Sequence, residues 1–228
     1  MFHPVGHTFT GRIEAIIGGN FDLLGARLDG RALVRVSGAL SKSEREWFDV
    51  LGIGLRIHRG GRGAPELLHP GRGDGGDTEA AQPGDQDLLF ATIRSPFTMA
   101  LSPLTTDASN FLASYWAVCP FEAPPVGRVE LRLRPIGRAD LGATRIERLR
   151  EAVRRGDAGW RLEARKTLTL RWHPVAVIHL EREVILDQAA LSFDPFRTGA
   201  DVTPVGLVHA IRRAVYAASQ RARHLVGS

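Results

Sequence analysis

The chain is 228 residues long, 43% hydrophobic and 24% charged, values of a folded globular protein that exclude wholesale disorder. Its formal net charge is +5, and of its 30 basic residues only Lys42 and Lys166 are lysine, so guanidinium dominates its positive charge. A single cysteine, Cys119, excludes a disulfide framework and a thiolate metal cluster, and apolar runs of only a few residues exclude a transmembrane helix.

The opening MFHPVGHTFTGR carries no basic region followed by an apolar stretch, so no signal peptide, a cytoplasmic location and no membrane partner are expected. RALVRVS (31–37) and VLGIGLRI (50–57) read as strands rich in Val, Leu and Ile, joined by the polar connector SKSEREWFD. From His58 to Gln86, eight of 29 residues are glycine, which reads as a flexible insertion between strands. It contains Gly71-x-Gly73-x-x-Gly76, but no strand precedes these glycines and Pro70 abuts them, so the dinucleotide fingerprint is discounted. QDLLFATI (86–93) reads as the next strand. GRVELRLRP (127–135) alternates Val129, Leu131 and Leu133 with polar residues, a strand with one wet face. ATRIERLREAVRRGD (143–157) spaces Ile146, Leu149 and Val153 as an amphipathic helix and stops at Gly156. TLTLRWH (167–173) and VAVIHLEREVIL (175–186) read as two further strands. The result is one domain over 1–228, mostly antiparallel β with its helices late in the chain.

The segment DVTPVGLVHAIRRAVYAASQRARH (201–224) predicts a C-terminal helix, with Thr203 as N-cap and Pro204 in the first helical position. Val208, Ile211, Val215 and Ala218 give it a core face, and His209, Arg212, Tyr216, Ser219 and Arg223 form a second, polar stripe. Arg212 stands one turn before Tyr216, and a cation in contact favours phenolate over phenol. A phenolate oxygen suits ferric iron. An exposed basic helix with one packed tyrosine is the plainer reading of the same spacing.

With the preceding AALSFDPFRTGADVTPVG (189–206), this helix resembles the proximal haem segment of the catalase superfamily, where an AF-x-P turn leads into an R-x-x-x-Y helix. Ser192-Phe193-Asp194-Pro195 matches the turn and Arg212-x-x-x-Tyr216 the helix. ALVRVSGAL (32–40) and DVLGIGLRI (49–57) resemble the family's VRFST…DPRGFAVKF strand pair, and HPVGHTFTGRIE (3–14) resembles its HAKG…FGYFE distal stretch. The resemblance implies haem b with Tyr216 as the iron ligand and Arg35, Arg212 and Arg223 as arginines on the haem side. It also implies His3 as the distal histidine, Ser37 as a distal-side serine, and an antiparallel barrel with flanking helices, an α+β fold. His7, four residues beyond His3, is the other histidine of that stretch, and the resemblance favours His3. Asn110, in TTDASNFLAS, is the candidate for the family's distal asparagine, and a polar loop residue explains it equally.

The activity implied is that of a haem hydroperoxidase, acting on hydrogen peroxide or organic hydroperoxides. A tyrosinate donates electron density to iron, and a distal imidazole moves a proton between the two peroxide oxygens. A non-enzymatic haem-binding protein on a degenerate version of the fold is the alternative. An arginine-rich nucleic-acid binder is a third reading, although no patch of mixed basic and aromatic residues stands out. A homo-oligomer is left open. His173 and His179, on predicted strands, read as core or rim residues, and Cys119 as a small buried hydrophobe. No pair of histidines with a carboxylate has zinc spacing, and no G-x-S-x-G elbow is present.

Overall fold

A computed structural model of the chain describes residues 6–38, 49–58, 83–93, 108–117, 119–186 and 191–206. Its strands are β1 (Gly6–Ala15), β2 (Gly30–Gly38), β3 (Leu51–His58), β4 (Gln86–Ala91), β5 (Tyr115–Ala117), β6 (Phe121–Ala123), β7 (Gly127–Pro135), β8 (Gly159–Lys166), β9 (His173–Val184) and β10 (Thr203–Pro204). Two helices join them among the described residues, α1 (Asp22–Leu28) and α2 (Arg145–Arg154).

The strands make an antiparallel sheet that closes on itself. The order β5-β4-β3-β2-β1-β9-β8 ends on β7, which pairs with β8 on one side and with β5 on the other, so eight strands form a ring. β6 extends the β5 side of β7, and β10 pairs with β6 through Thr203↔Glu122 and Pro204↔Phe121. Closure leaves no free edge in the ring.

Period-two alternation decides which side chains enter the barrel. On β2, Ala32, Val34 and Val36 join the interior core, with Leu51, Ile53, Leu55 and Ile57 of β3 and Val129, Leu131 and Leu133 of β7. Leu33, Arg35 and Ser37 alternate onto the outer face. Helix α2 lies over one end, burying Leu149 and Ala152, and α1 packs against β1 and β9, burying Leu24 and Leu28.

Strands β2, β3, β4, β7 and β9 lie where the sequence places them, although β4 ends at Ala91 and β9 spans His173–Val184, two residues earlier than expected at each end. The expected helix over 143–157 spans Arg145–Arg154, because Thr144 caps it. Three expectations are corrected. TLTLRW is not a strand: Lys166–Thr169 is a tight turn, Leu168 has φ +71° and its side chain points to water. Thr203 and Pro204 are not the cap and first residue of a helix, because they form β10. Helices are not confined to the late chain, since α1 follows β1 directly. The predicted helix beyond residue 206, the connector over 39–48 and the glycine-rich stretch over 59–82 lie outside the described residues.

Candidate site on the outer barrel face

The outer face of β1, β2 and β3 carries the polar residues that the sequence singles out. Arg35 and Ser37 of β2 are only 3% and 5% exposed although they point out of the barrel. Register places Ser37 between Gly6 of β1 and Gly52 of β3, and Arg35 between Thr8 and Gly54. The guanidinium of Arg35 lies against Gly6, where any Cβ would come within 2.5 Å of it. Burial pushes the pKa of Arg35 down from its ordinary value, but arginine keeps its charge in proteins.

A segment distant in sequence covers this face. Phe193 packs on Gly54 so closely that a Cβ there would stand 2.9–3.2 Å from its ring. With Leu33 and Leu191 it forms a small apolar cluster outside the barrel. Only a glycine in β3 allows this approach.

Beneath Phe193 a buried ionic network fixes the 192–197 turn. Asp87 of β4 accepts from Arg56 Nε (2.9 Å) and Nη2 (3.0 Å), from Arg197 Nη1 (2.6 Å) and from the backbone N–H of Asp194 (2.8 Å). Arg56 also donates to the Ser192 carbonyl and stacks its guanidinium 5.1 Å from the Phe193 ring centroid. Gln86, buried beside it, donates to the carbonyls of Arg197 (3.0 Å) and Val202 (3.1 Å) and accepts from the N–H of Ala200 (3.2 Å). Sequence reading overlooks this network. Arg56 and Asp87 are visible as charges within strands, but only the cross-strand register makes them partners.

Four stretches that the sequence resemblance names therefore meet on one face: Gly6 of HPVG, Arg35 and Ser37 of VRVS, Gly54 of GIGLRI and Phe193 of SFDP. Asn110 stands apart from them. Its Nδ2 donates to the Ala139 carbonyl (3.0 Å) and its Oδ1 accepts from the Leu112 N–H (2.8 Å), bonds that hold a loop. His3, Arg212, Tyr216 and Arg223 lie outside the described residues. His7 faces Glu183, Nδ1 to Oε1 3.1 Å, at the barrel end under α2. Phe9 is in the barrel core, and Cys119 packs partly buried against it.

The only other tyrosine in the chain, Tyr115, is fully buried and donates its hydroxyl to the Phe111 carbonyl (2.8 Å). Burial pushes its pKa far above the ordinary phenol range, against a small opposing effect of Arg145. It is a neutral structural phenol and no anionic ligand.

The donor chemistry of the face suits the periphery of haem. A buried guanidinium is a fitting counter-ion for a carboxylate, Ser37 adds a hydroxyl, and Phe193 and Leu33 add apolar surface. Among the described residues no group of three or more His, Cys, Asp or Glu could hold a bare metal ion. The chain matches no known family model and no curated protein sequence.

Proposed function

We propose that the protein is a haem hydroperoxidase on a catalase-like α+β fold, with haem b held by Tyr216 beside the outer face of β1–β3. One observation carries the reading. Gly6, Gly54 and Phe193, described residues of stretches far apart in sequence that resemble the distal, strand-pair and proximal segments of the catalase superfamily, meet on the face that buries Arg35 and Ser37.

In this reading Arg35 binds a propionate, and its burial makes that ion pair stronger than one at the surface. Arg212, four residues before Tyr216 in sequence, would favour the anionic form of the phenol oxygen. Arg223 supplies a further cation on the same side. Bound haem supplies a ferric iron and its redox chemistry. His3 takes a proton from one peroxide oxygen and delivers it to the other, assisting cleavage of the O–O bond. Ser37 presents a hydroxyl on the same face. Asn110, with one N–H given to the Ala139 carbonyl and its oxygen accepting from Leu112, keeps a second N–H as a donor. Hydrogen peroxide and organic hydroperoxides are the substrates.

The test is an absorption spectrum of protein produced with a supply of haem. A Soret band with ferric high-spin features is expected, and Tyr216→Phe should lose it. A haem spectrum unchanged in Tyr216→Phe would overturn Tyr216 as the iron ligand. A colourless protein that takes up no added haem would overturn the reading as a whole.

A further inference from the structure

The turn between β8 and β9 has a construction that the barrel and its outer face do not require. Leu168 is 98% exposed and Leu170 90%, among the least covered large apolar side chains described. They do not hang from a loose loop. The Thr169 N–H (3.0 Å) and hydroxyl (2.7 Å) both donate to the Lys166 carbonyl, closing a four-residue turn. The Thr167 N–H donates to the Arg128 carbonyl of β7 (3.1 Å), which ties the turn to the barrel wall. Trp172, at the other end, lies between the guanidinium groups of Arg132 (4.3 Å) and Arg165 (4.7 Å). Those arginines are themselves held by Glu163 and Glu130, at 2.6 Å each.

The third residue of the turn, Leu168, has φ +71°. That position ordinarily takes glycine or asparagine, because a Cβ is strained there. The chain accepts strain in order to hold a leucine out into water. Lys166 and Arg171 are exposed on either side, and no residue from 166 to 172 is acidic. Ile17, 88% exposed, belongs to the same end of the barrel, since the Ile16 N–H donates to the Val175 carbonyl (2.9 Å) and the Asn20 amide meets His173 (3.1 Å).

We propose that the Lys166–Trp172 turn docks the protein on the surface of an anionic lipid bilayer, with Leu168 and Leu170 entering the headgroup–acyl boundary and Lys166 and Arg171 meeting lipid phosphates. Charge favours this occupant over a second copy of the chain, because two such turns meeting would bring like cations together. Exposed apolar side chains collared by lysine and arginine are the composition of an interfacial anchor. No helix of the described residues is long and apolar enough to cross a membrane. The contact proposed is with the bilayer surface, and it departs from the sequence expectation of no membrane partner.

Co-sedimentation with vesicles tests it, using phosphatidylcholine alone and phosphatidylcholine mixed with phosphatidylglycerol. The protein should pellet with the mixed vesicles and far less with the neutral ones. The double variant Leu168→Asn/Leu170→Ser should weaken partitioning by about tenfold or more, and Lys166→Gln/Arg171→Gln should remove the preference for anionic lipid. Leu168→Asn alone should raise the thermal midpoint by relieving backbone strain while it weakens vesicle binding; a leucine with a purely structural role would do the reverse. Absence of pelleting, or equal pelleting by the leucine variants, would overturn the proposal. So would a dimer in size-exclusion chromatography that the double variant turns into a monomer, which would make the turn a contact between copies.

Discussion

His7, the histidine that the resemblance passes over in favour of His3, carries a measurable property of its own. It lies four positions from His3, but β1 delivers it to the barrel end, where it meets Glu183. Glu183 also accepts from Arg150 Nε (2.7 Å) and Nη2 (3.0 Å). Burial lowers the pKa of His7 below its ordinary value of 6.5, helped by Arg150 and Arg145 and opposed by Glu183. For Glu183 burial works upward, but the hydrogen bonds and charges of Arg150 and His7 prevail and hold it below 4.5. Both groups thus bind protons less readily folded than unfolded. Their contribution to stability is complete above the unfolded values and is lost as the pH falls, first through the His7 range and then through the Glu183 range. The urea midpoint should therefore decline as the pH falls below about 6.5 and go on declining below about 4.5. In His7→Gln the upper part of that decline should flatten; an unchanged profile would assign the titration to another group.

Among the elements, those with a strong period were legible and those fixed by long-range partners were not. β7 could be read because Val129, Leu131 and Leu133 alternate cleanly into the core. Helix α2 could be read from its apolar spacing, although its start at Arg145 is set by the Thr144 cap, which the spacing does not mark. The 167–172 stretch has the composition of a strand, but its leucines have no core to enter: the Thr169–Lys166 turn and the arginine pair around Trp172 decide its course. Thr203 and Pro204 carry a helix-start signal, yet the available edge of β6 takes them as β10. At α2 local chemistry and tertiary packing agree. The Thr144 hydroxyl accepts from the Glu147 N–H (3.3 Å), and the Glu147 carboxylate accepts from the Thr144 N–H (3.1 Å) and the Ala143 N–H (2.9 Å). Thr144→Ala should cost about 1 kcal/mol in chemical unfolding. No measurable loss would mean that Leu149 and Ala152, buried at the barrel end, hold the helix without its cap.

At the scale of the whole molecule, the site depends on how the 191–206 segment is fastened to a barrel that closes without it. The sequence made Arg35, Ser37 and the SFDP turn legible as separate pieces. It could not show that Gly54 leaves room for Phe193, nor that Asp87 receives one arginine from β3 and both a second arginine and a backbone N–H from the 192–197 turn. Asp87 is wholly buried, as is Arg56, its partner on the neighbouring strand. Removing the carboxylate charge leaves a buried guanidinium uncompensated, a change that typically costs about 3–5 kcal/mol. Asp87→Asn should show that loss in urea unfolding, and hydrogen exchange should localise it. The Asp194 N–H bonds Asp87 directly, the Arg197 N–H bonds the Asp194 carbonyl, and the Gly199 N–H bonds the Asp85 carbonyl just before β4. These amides should lose protection in the variant under conditions where the β2–β3 and β7–β8 ladders keep theirs, because the ring of strands does not run through Asp87's partners at 192–197. Should the ladders open together with those amides, the segment and the barrel form one cooperative unit, and the outer face could not change its cover without unfolding the wall behind it.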